Sequence, residues 1–200
     1  MSERRDVIRN RARLVAAAEE VFAGTGPTAP LDLVARRAGV GRGTLYRHFP
    51  DRESLIAAVY STRMDLLEEL AAGLPDEERW ERLLAAICAL QLESPGLLGV
   101  MQRSDRGRTR LDDISRRTTL LLLGALSAAQ RCGAVRADAS ARDLYLTLSM
   151  VEGVIAHAPP DAAHDSVARA LELVLTAMRG ERRAGAPLPE VVDPRPDRTT

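Results

Sequence analysis

The 200-residue sequence contains no lysine, so all 28 of its basic side chains are arginines. A Walker A phosphate loop needs a lysine, and a pyridoxal phosphate enzyme needs a lysine to form its Schiff base. The sequence therefore excludes both kinds of site. Aromatic residues are scarce as well, at 3% of the chain, so the hydrophobic core must be built mainly from Leu, Ala and Val.

Cysteines are few, and no apolar run is long. Cys88 and Cys132 lie far apart in apolar stretches, which predicts free thiols in a reducing compartment rather than metal ligands. The longest apolar run, residues 120–126, is much shorter than the ~20 residues that span a bilayer. The N-terminus has no apolar signal region. We expect a cytoplasmic protein with no membrane partner, no metal and no cofactor.

The composition favours an all-α fold. Apolar residues make up 46% of the chain, Leu and Ala are strong helix formers, and few segments alternate with the period of a strand. In the N-terminal part we predict a short helix with an apolar stripe, a fourth helix capped by Asp51, and two helices over about residues 6–23 and 42–48. Further helices are predicted over roughly residues 77–93, 97–103, 108–132, 140–157 and 163–180.

Charge is distributed unevenly along the chain, although the net charge is zero. Residues 1–52 contain ten arginines and six acidic residues, a net charge of +4, and the remainder therefore carries −4. A basic head on an acidic body is typical of nucleic-acid-binding proteins. Chance clustering on a solvated face is the alternative, and charge alone leaves it open.

Residues 31–49, LDLVARRAGVGRGTLYRHF, have the pattern of two short helices joined by a turn. Ala35 provides a small residue where the helices cross, and Gly39 provides a residue that tolerates positive φ in the turn. This pattern predicts a helix-turn-helix. A glycine-rich dinucleotide loop over residues 39–43 would need a preceding strand, whereas the preceding segment has helical period.

The second helix of a helix-turn-helix lies in the major groove of DNA. Arg42 is the best candidate to read a base, because a guanidinium can bind guanine O6 and N7 together. Thr44 could touch a base edge or a thymine methyl, Arg47 could contact a base or a phosphate, and the other side chains would fix the register through phosphates. The predicted DNA-binding residues are Arg42, Gly43, Thr44, Tyr46, Arg47, His48 and Arg52.

The segment AGVGRGTLYRHFPDRESL is similar to the signature of the TetR/AcrR family of regulators, and the resemblance extends over about residues 9–60. It implies an all-α homodimer with DNA-binding helices 1–3, a connecting helix 4 and a ligand-binding body. It also implies DNA contacts from Thr44, Tyr46, His48 and Arg52.

This sequence departs from the family pattern at two helix starts. The family commonly has a threonine before the second helix, where it caps the helix and touches phosphate, but Ala29 and Pro30 stand here. Thr28 is the nearest candidate to replace it. Gly41 stands where a serine is common, which weakens one cap at modest cost.

The predicted domains are a helix-turn-helix domain over residues 1–50, a helical ligand-binding and dimerisation domain over 51–180 with the connecting helix at 51–73, and a disordered tail over 181–200. Glu152 is notable in the body, because a carboxylate in an apolar run is costly unless it is paired or faces a cavity. The candidate ligand-binding residues are Trp80, Cys88, Met101, Tyr145, Met150 and Glu152. The alternative is that most of them are plain core and that Glu152 points to solvent.

The last two predicted helices carry apolar stripes that suit packing against a second copy. The stripes are Leu144, Leu148, Val151 and Ile155, then Val167, Leu171, Val174, Leu175 and Met178. The resemblance favours a homodimer through these helices, but the stripes could also serve the core of one chain.

We therefore predict a DNA-binding repressor, not an enzyme, that a small molecule releases from a palindromic operator. A regulator with no effector and a helical enzyme with a structural helix-turn-helix are the alternatives. Against the enzyme, the sequence shows no nucleophile–base pair at a telling spacing. His157, Asp161, His164 and Asp165 are ligands by type, but their proline-containing loop favours a solvated turn.

Overall fold

The computed structural model describes residues 2–159 and 161–179. The predicted tail over 181–200 lies outside the described residues. Within the described ranges every regular element is a helix, which agrees with the predicted all-α class. The helices are α1 (Ser2–Thr25), α2 (Leu31–Ala38), α3 (Arg42–His48), α4 (Arg52–Gly73), α5 (Asp76–Glu93), α6 (Leu97–Gln102), α7 (Asp105–Arg131), α8 (Ala141–His157) and α9 (Ala163–Arg179).

Most helices agree with the sequence prediction to within a few residues. The bounds of α3 are those predicted, and α4 follows an Asp51 N-cap as expected. Two helices begin earlier than predicted: α1 at Ser2 and α7 at Asp105. The start of α7 is explained by Ser104, whose hydroxyl accepts from the Gly107 N–H and caps the helix.

A first hydrophobic core holds the N-terminal helices together. Phe22 of α1 and Val34 of α2 are fully buried in it, and Leu45 of α3 is almost so. The same core includes buried residues from the start of α4 and from α6 and α7: Leu55, Ile56, Ala58, Val59, Leu97, Met101 and Leu111. The core of the N-terminal helices thus continues across residue 50, the boundary predicted from sequence.

A second core fills the body between α4, α5, α7, α8 and α9, with Trp80 and Leu122 fully buried in it. A smaller cluster of Cys88, Val151 and Val167 joins α5 to α8 and α9. Among the described residues, no helix is both long and apolar enough to cross a membrane.

The stripes predicted as a dimer face belong to the core of the single chain. Leu144, Val151, Val167 and Met178 are at most 3% exposed, and the other stripe residues pack partly buried against the same clusters. These four residues therefore serve the core of one chain, whereas a dimer interface that uses the partly buried stripe residues remains a prediction. The physical reason is that α8 and α9 must first cover α5, which takes their most regular apolar faces. The apolar side chains they leave exposed are Tyr145, Leu146 and Met150 on α8, and Leu173 on α9.

Polar contacts fasten the body to the N-terminal helices at two places. At the start of α4, Asp51 and Ser54 form a reciprocal capping box, and Asp51 also pairs with Arg110 of α7. Midway along α4, Arg63 is only 5% exposed. Its guanidinium donates to the Leu90 carbonyl at 2.9 Å and to the Ser94 hydroxyl at 3.0 Å. It also donates to Glu19 of α1 at 3.4 Å, so one buried side chain joins three helices.

Candidate nucleic-acid interface

The turn between α2 and α3 depends on Gly39. Its φ is +64°, in the left-handed region that favours glycine. A Cβ at this position would also lie 2.7 Å from Nη2 of Arg13, which crosses the turn from α1. The N–H of Gly39 donates to Arg36 O at 3.0 Å, and the N–H of Val40 donates to Ala35 O at 3.0 Å. These bonds close the end of α2 and fix where α3 begins.

Neither α2 nor α3 has a side-chain cap at its start. Pro30 precedes α2 and Gly41 precedes α3, and neither position provides a side-chain hydrogen bond to the helix. Thr28 is exposed, and its predicted contact with phosphate remains a prediction. Packing, rather than capping, therefore holds the two short helices.

The inward side of α3 is anchored as the sequence predicted. Leu45 is 1% exposed and Phe49 is 2% exposed, and Val40 packs partly buried against the same core. The guanidinium of Arg11 lies 5.5 Å from the centroid of the Phe49 ring, in cation–π geometry. These contacts fix which side of α3 faces away from the protein.

The outward side of α3 carries hydrogen-bond donors. Tyr46 is 44% exposed, and Arg42, Gly43 and Arg47 are exposed too, whereas Thr44 is half-buried. The structure thus presents one convex face of cationic and hydroxyl groups with a glycine beside them. Such a face suits the edges and phosphates of a major groove.

Arg42 has an acidic partner that the sequence analysis did not single out. Its Nε lies 2.8 Å from Oδ1 of Asp32, in the first turn of α2. The side chain of Arg42 remains 71% exposed. The two residues are distant enough in the chain that only the folded turn shows them to be neighbours.

His48 lies at the end of α3, half-buried. Its Nε2 is buried and has no hydrogen-bond partner among the described residues. Burial lowers the pKa of His48 below its ordinary 6.5, and the nearby charges of Arg47 and Arg11 lower it further. The imidazole is therefore neutral near pH 7. A bond from this ring to phosphate would have to use Nδ1.

Arg52, at the start of α4, is partly engaged within the protein. Its Nη1 donates to the Pro27 carbonyl at 2.9 Å, and its guanidinium lies 6.0 Å from the centroid of the Phe22 ring. Burial lowers the pKa of this arginine. Arg52 thus ties the α1–α2 connection to α4, and only part of its guanidinium is available to DNA.

The six candidate ligand-binding residues do not meet in one place. Trp80, Cys88 and Met101 lie in three different core clusters, while Tyr145 is 70% exposed and Met150 is 52% exposed. Burial raises the pKa of the Cys88 thiol to about 12. Their role in ligand binding remains a prediction.

Glu152 is half-buried on α8, near Tyr60 of α4. The pKa of Tyr60 is raised to about 12, first by burial and then by the Glu152 carboxylate, although the charge of Arg63 acts in the opposite direction. No sequence pattern indicated a role for Tyr60.

A groove of about 450 Å³ lies elsewhere on the body, between α4 and α7. Its lining includes Ala71, Arg79, Leu121 and Gly124, and none of the six candidates. In the described part of the chain, no group of three or more His, Cys, Asp or Glu is placed to hold a metal ion.

The helix α3 is exposed and cationic on one side and buried against α1, α2 and the start of α4 on the other. This arrangement defines a DNA-binding transcriptional regulator of the helix-turn-helix class. Residues 14–59 match the family model described as "Bacterial regulatory proteins, tetR family". The chain is 31% identical over 146 residues to an uncharacterized HTH-type transcriptional regulator of Mycobacterium tuberculosis, an alignment that covers 70% of this chain and 77% of that protein. The chain belongs to the TetR family.

Solved structures show the same fold over most of the chain. A TetR transcriptional regulator from Streptomyces coelicolor is 30% identical, with a TM-score of 0.66 over 84% of this chain and 98% of its own. A TetR regulatory protein from Mycobacterium vanbaalenii is 27% identical, with a TM-score of 0.65 over 88% and 99% of the two chains. These relatives are transcriptional regulators and not enzymes.

Proposed function

We propose that this chain is a cytoplasmic repressor that holds a palindromic operator in double-stranded DNA as a homodimer, and that a small-molecule effector releases it. The observation that carries the proposal is the outward face of α3, whose Arg42 and Arg47 side chains are exposed while Leu45 and Phe49 anchor the helix. Two copies would read a palindrome if their α3 helices lay roughly 34–36 Å apart.

Within each copy, we assign the base contacts to the first half of α3. Arg42 reads a base in the major groove, Thr44 touches a base edge or a thymine methyl, and Gly43 lets the backbone approach closely. Phosphate contacts from the other predicted residues fix the register. Those residues are Tyr46, Arg47, His48 and Arg52, with His48 acting through Nδ1.

The Arg42→Ala variant tests the base contact. It should weaken binding to the operator by about 1–3 kcal/mol and relax the preference at one base pair of each half-site, because a bidentate contact is lost. The operator is first obtained by selection from random duplexes, and fluorescence anisotropy then measures both quantities. Arg116→Ala is the matched control, since Arg116 is also exposed but lies on α7. Unchanged affinity and preference in the Arg42 variant would contradict the assignment.

The homodimer is proposed to form through the faces of α8 and α9 that the monomer leaves uncovered. Tyr145, Leu146, Met150 and Leu173 are between 46% and 70% exposed. These are four of the ten exposed large apolar side chains of the described residues, and a group of such side chains on two adjacent helices can form an interaction surface. Membership of the TetR family supports an interface between two copies.

The effector is proposed to act on the body through the junction at Arg63. This side chain of α4 donates hydrogen bonds to both α5 and Glu19 of α1. A shift of α5 relative to α4 would therefore change the position of α1, against which the other DNA-binding helices pack. An effector can change DNA affinity only by its preference between the two conformations of the body.

Two buried polar atoms in the body support a ligand with a polar group. Trp80 Nε1 and Gln91 Oε1 have no hydrogen-bond partner in the described part of the chain, and leaving such a group unpaired costs about 1–3 kcal/mol. A small, mostly apolar compound that bonds either atom would recover that cost. A thermal-shift screen of such compounds, followed by anisotropy with operator DNA, tests this: an effector should raise the melting temperature and lower operator affinity.

A regulator without an effector is the second candidate. It is favoured by the packing of Trp80, Cys88 and Met101, which are at most 1% exposed. If compounds that stabilise the protein leave operator binding unchanged, this second candidate replaces the first.

A further inference from the structure

The contact between Asp32 and Arg42 joins the two helices of the DNA-binding motif across their turn. Oδ1 of Asp32 lies 2.8 Å from Nε of Arg42, and the two side chains are 36% and 71% exposed. An ion pair this open to solvent contributes little to folding. Stability therefore does not explain the contact.

The atoms used in this contact leave the rest of the guanidinium available. The carboxylate lies nearest to Nε and forms an ion pair without the geometry of a hydrogen bond, while Nη1 and Nη2 keep their four hydrogens free for other acceptors. Because the charge of Asp32 lies beside Nε, the ion pair favours side-chain conformations of Arg42 in which Nε faces Asp32 and the two terminal nitrogens face away from it. The guanine contact needs two N–H groups in one plane, and those are the groups that Asp32 does not use.

The carboxylate also makes non-specific binding less favourable. Arg42 begins α3, so Asp32 lies beside the helix that faces the polyanion. Binding to any duplex brings this negative charge close to phosphates, and the affinity for non-specific DNA depends mainly on the charges placed against them. This repulsion is the same for every duplex, but the contribution of Arg42 is not: where no base is offered, Arg42 stays paired with Asp32 and adds little to the attraction of the phosphates.

The two arginines of α3 differ in this respect. Arg42 has a carboxylate partner, whereas Arg47 has no ion-pair partner among the side chains that the structure describes, those of residues 5–159 and 161–179. A free guanidinium such as Arg47 can turn toward whichever phosphate is nearest. Arg42 is held.

We propose that Asp32 is a positioning residue that sets operator specificity, by orienting Arg42 toward a base and by penalising duplexes that offer Arg42 no base contact. This inference rests on the proposed function, in which Arg42 reads a base. It differs from that function in assigning selectivity to an acidic residue that makes no attractive contact with DNA.

The Asp32→Asn variant tests the inference, because it removes the charge and keeps the shape. Fluorescence anisotropy compares binding to the selected operator with binding to a scrambled duplex of equal length at the same salt concentration. We expect tighter binding to the scrambled duplex and a loss of roughly tenfold in the ratio of the two affinities, within the range that one bidentate base contact contributes. Asp32→Glu, which keeps the charge, should retain part of the ratio.

Two further variants separate the inference from plainer explanations. Asp113→Asn removes an equal charge from a surface ion pair on α7, and it should leave the ratio unchanged. In the Arg42→Ala background, Asp32→Asn should no longer lower the ratio, because the side chain that it positions is gone.

The outcomes distinguish the two levels of the proposal. If the wild-type protein selects no sequence from random duplexes, the proposed function fails. If wild type selects an operator but Asp32→Asn keeps the full ratio, or lowers it equally with and without Arg42, only the role of Asp32 is overturned.

Discussion

His48 ends the recognition helix with a ring that is half-buried between arginines. A neutral imidazole suits this position, because a charged one would be desolvated and would be repelled by Arg47 and Arg11. The lowered pKa means that the unfolded chain takes up a proton at a higher pH than the folded chain does. Acidic conditions therefore favour the unfolded chain, which binds a proton at His48 while the folded chain does not.

The pH dependence of stability follows from this shift. Above the unfolded pKa of about 6.5, His48 is neutral in both states and does not make the free energy of unfolding depend on pH. As the pH falls below that value, the unfolded state gains a proton first, and the free energy of unfolding decreases until the lowered native pKa is reached. Urea unfolding of wild type and His48→Gln at pH 7.5 and 5.5 checks the prediction. The variant should lose less stability between the two values, and equal losses would contradict the sign.

At the scale of the element, the start of α7 is packed too closely for any side chain. A Cβ at Gly107 would overlap the backbone carbonyl of Met101, which cannot move aside as a flexible side chain would. The same turn is held by Ser104, which caps α7 and donates to Glu53 of α4 at 3.0 Å. This junction fixes α7 and α6 against the connecting helix.

Gly107→Ala should therefore lower the free energy of unfolding by about 1–3 kcal/mol, the usual cost of overpacking. Gly124→Ala is the matched control in the same helix, since nothing lies within 4 Å of a Cβ there. The control should gain roughly 0.5–1 kcal/mol, because alanine favours a helix over glycine. Chemical denaturation of both variants measures the difference, and equal changes would show that α7 is not packed as described.

The sequence was sufficient to locate helices whose ends are marked by nearby glycine, proline or capping residues. Gly39 and Pro50 delimit α3, and Asp51 marks the start of α4, so these helices could be predicted from residues a few positions apart. The buried anchors of α3 followed from the same periodicity. The contact between Asp32 and Arg42 could not, because it depends on how two helices cross rather than on spacing along either one.

The apolar stripes of α8 and α9 illustrate a second limit. Periodicity identifies which face of a helix is buried, and it did so for Val151 and Met178. It does not identify the partner that covers the face. In the structure the partner is the chain's own body, and the less regular set around Tyr145 remains exposed.

At the scale of the whole molecule, the proposed dimer can be disrupted without unfolding the chain. Met150→Arg places a charge on the exposed face of α8, where 52% of the side chain is accessible, so the monomer should keep its fold. We expect sedimentation equilibrium to show dissociation to monomers. Operator affinity should fall with it, because one α3 cannot span both half-sites.

Leu120→Arg provides the comparison, since Leu120 is 62% exposed on α7, outside the proposed face. It should remain a dimer. Dissociation of the Leu120 variant, with the Met150 variant intact, would move the interface from α8 to α7.

The continuity of the first core limits how this regulator can be re-engineered. A chimera joined at residue 50 would separate Phe49 from Leu55 and from Met101, and both halves would carry bare apolar surface. Replacing the whole DNA-binding domain with that of another regulator is therefore a poor way to change the DNA preference of this protein. Transplanting only the few solvent-facing positions of α3, together with the acidic neighbour at position 32, leaves every buried contact in place.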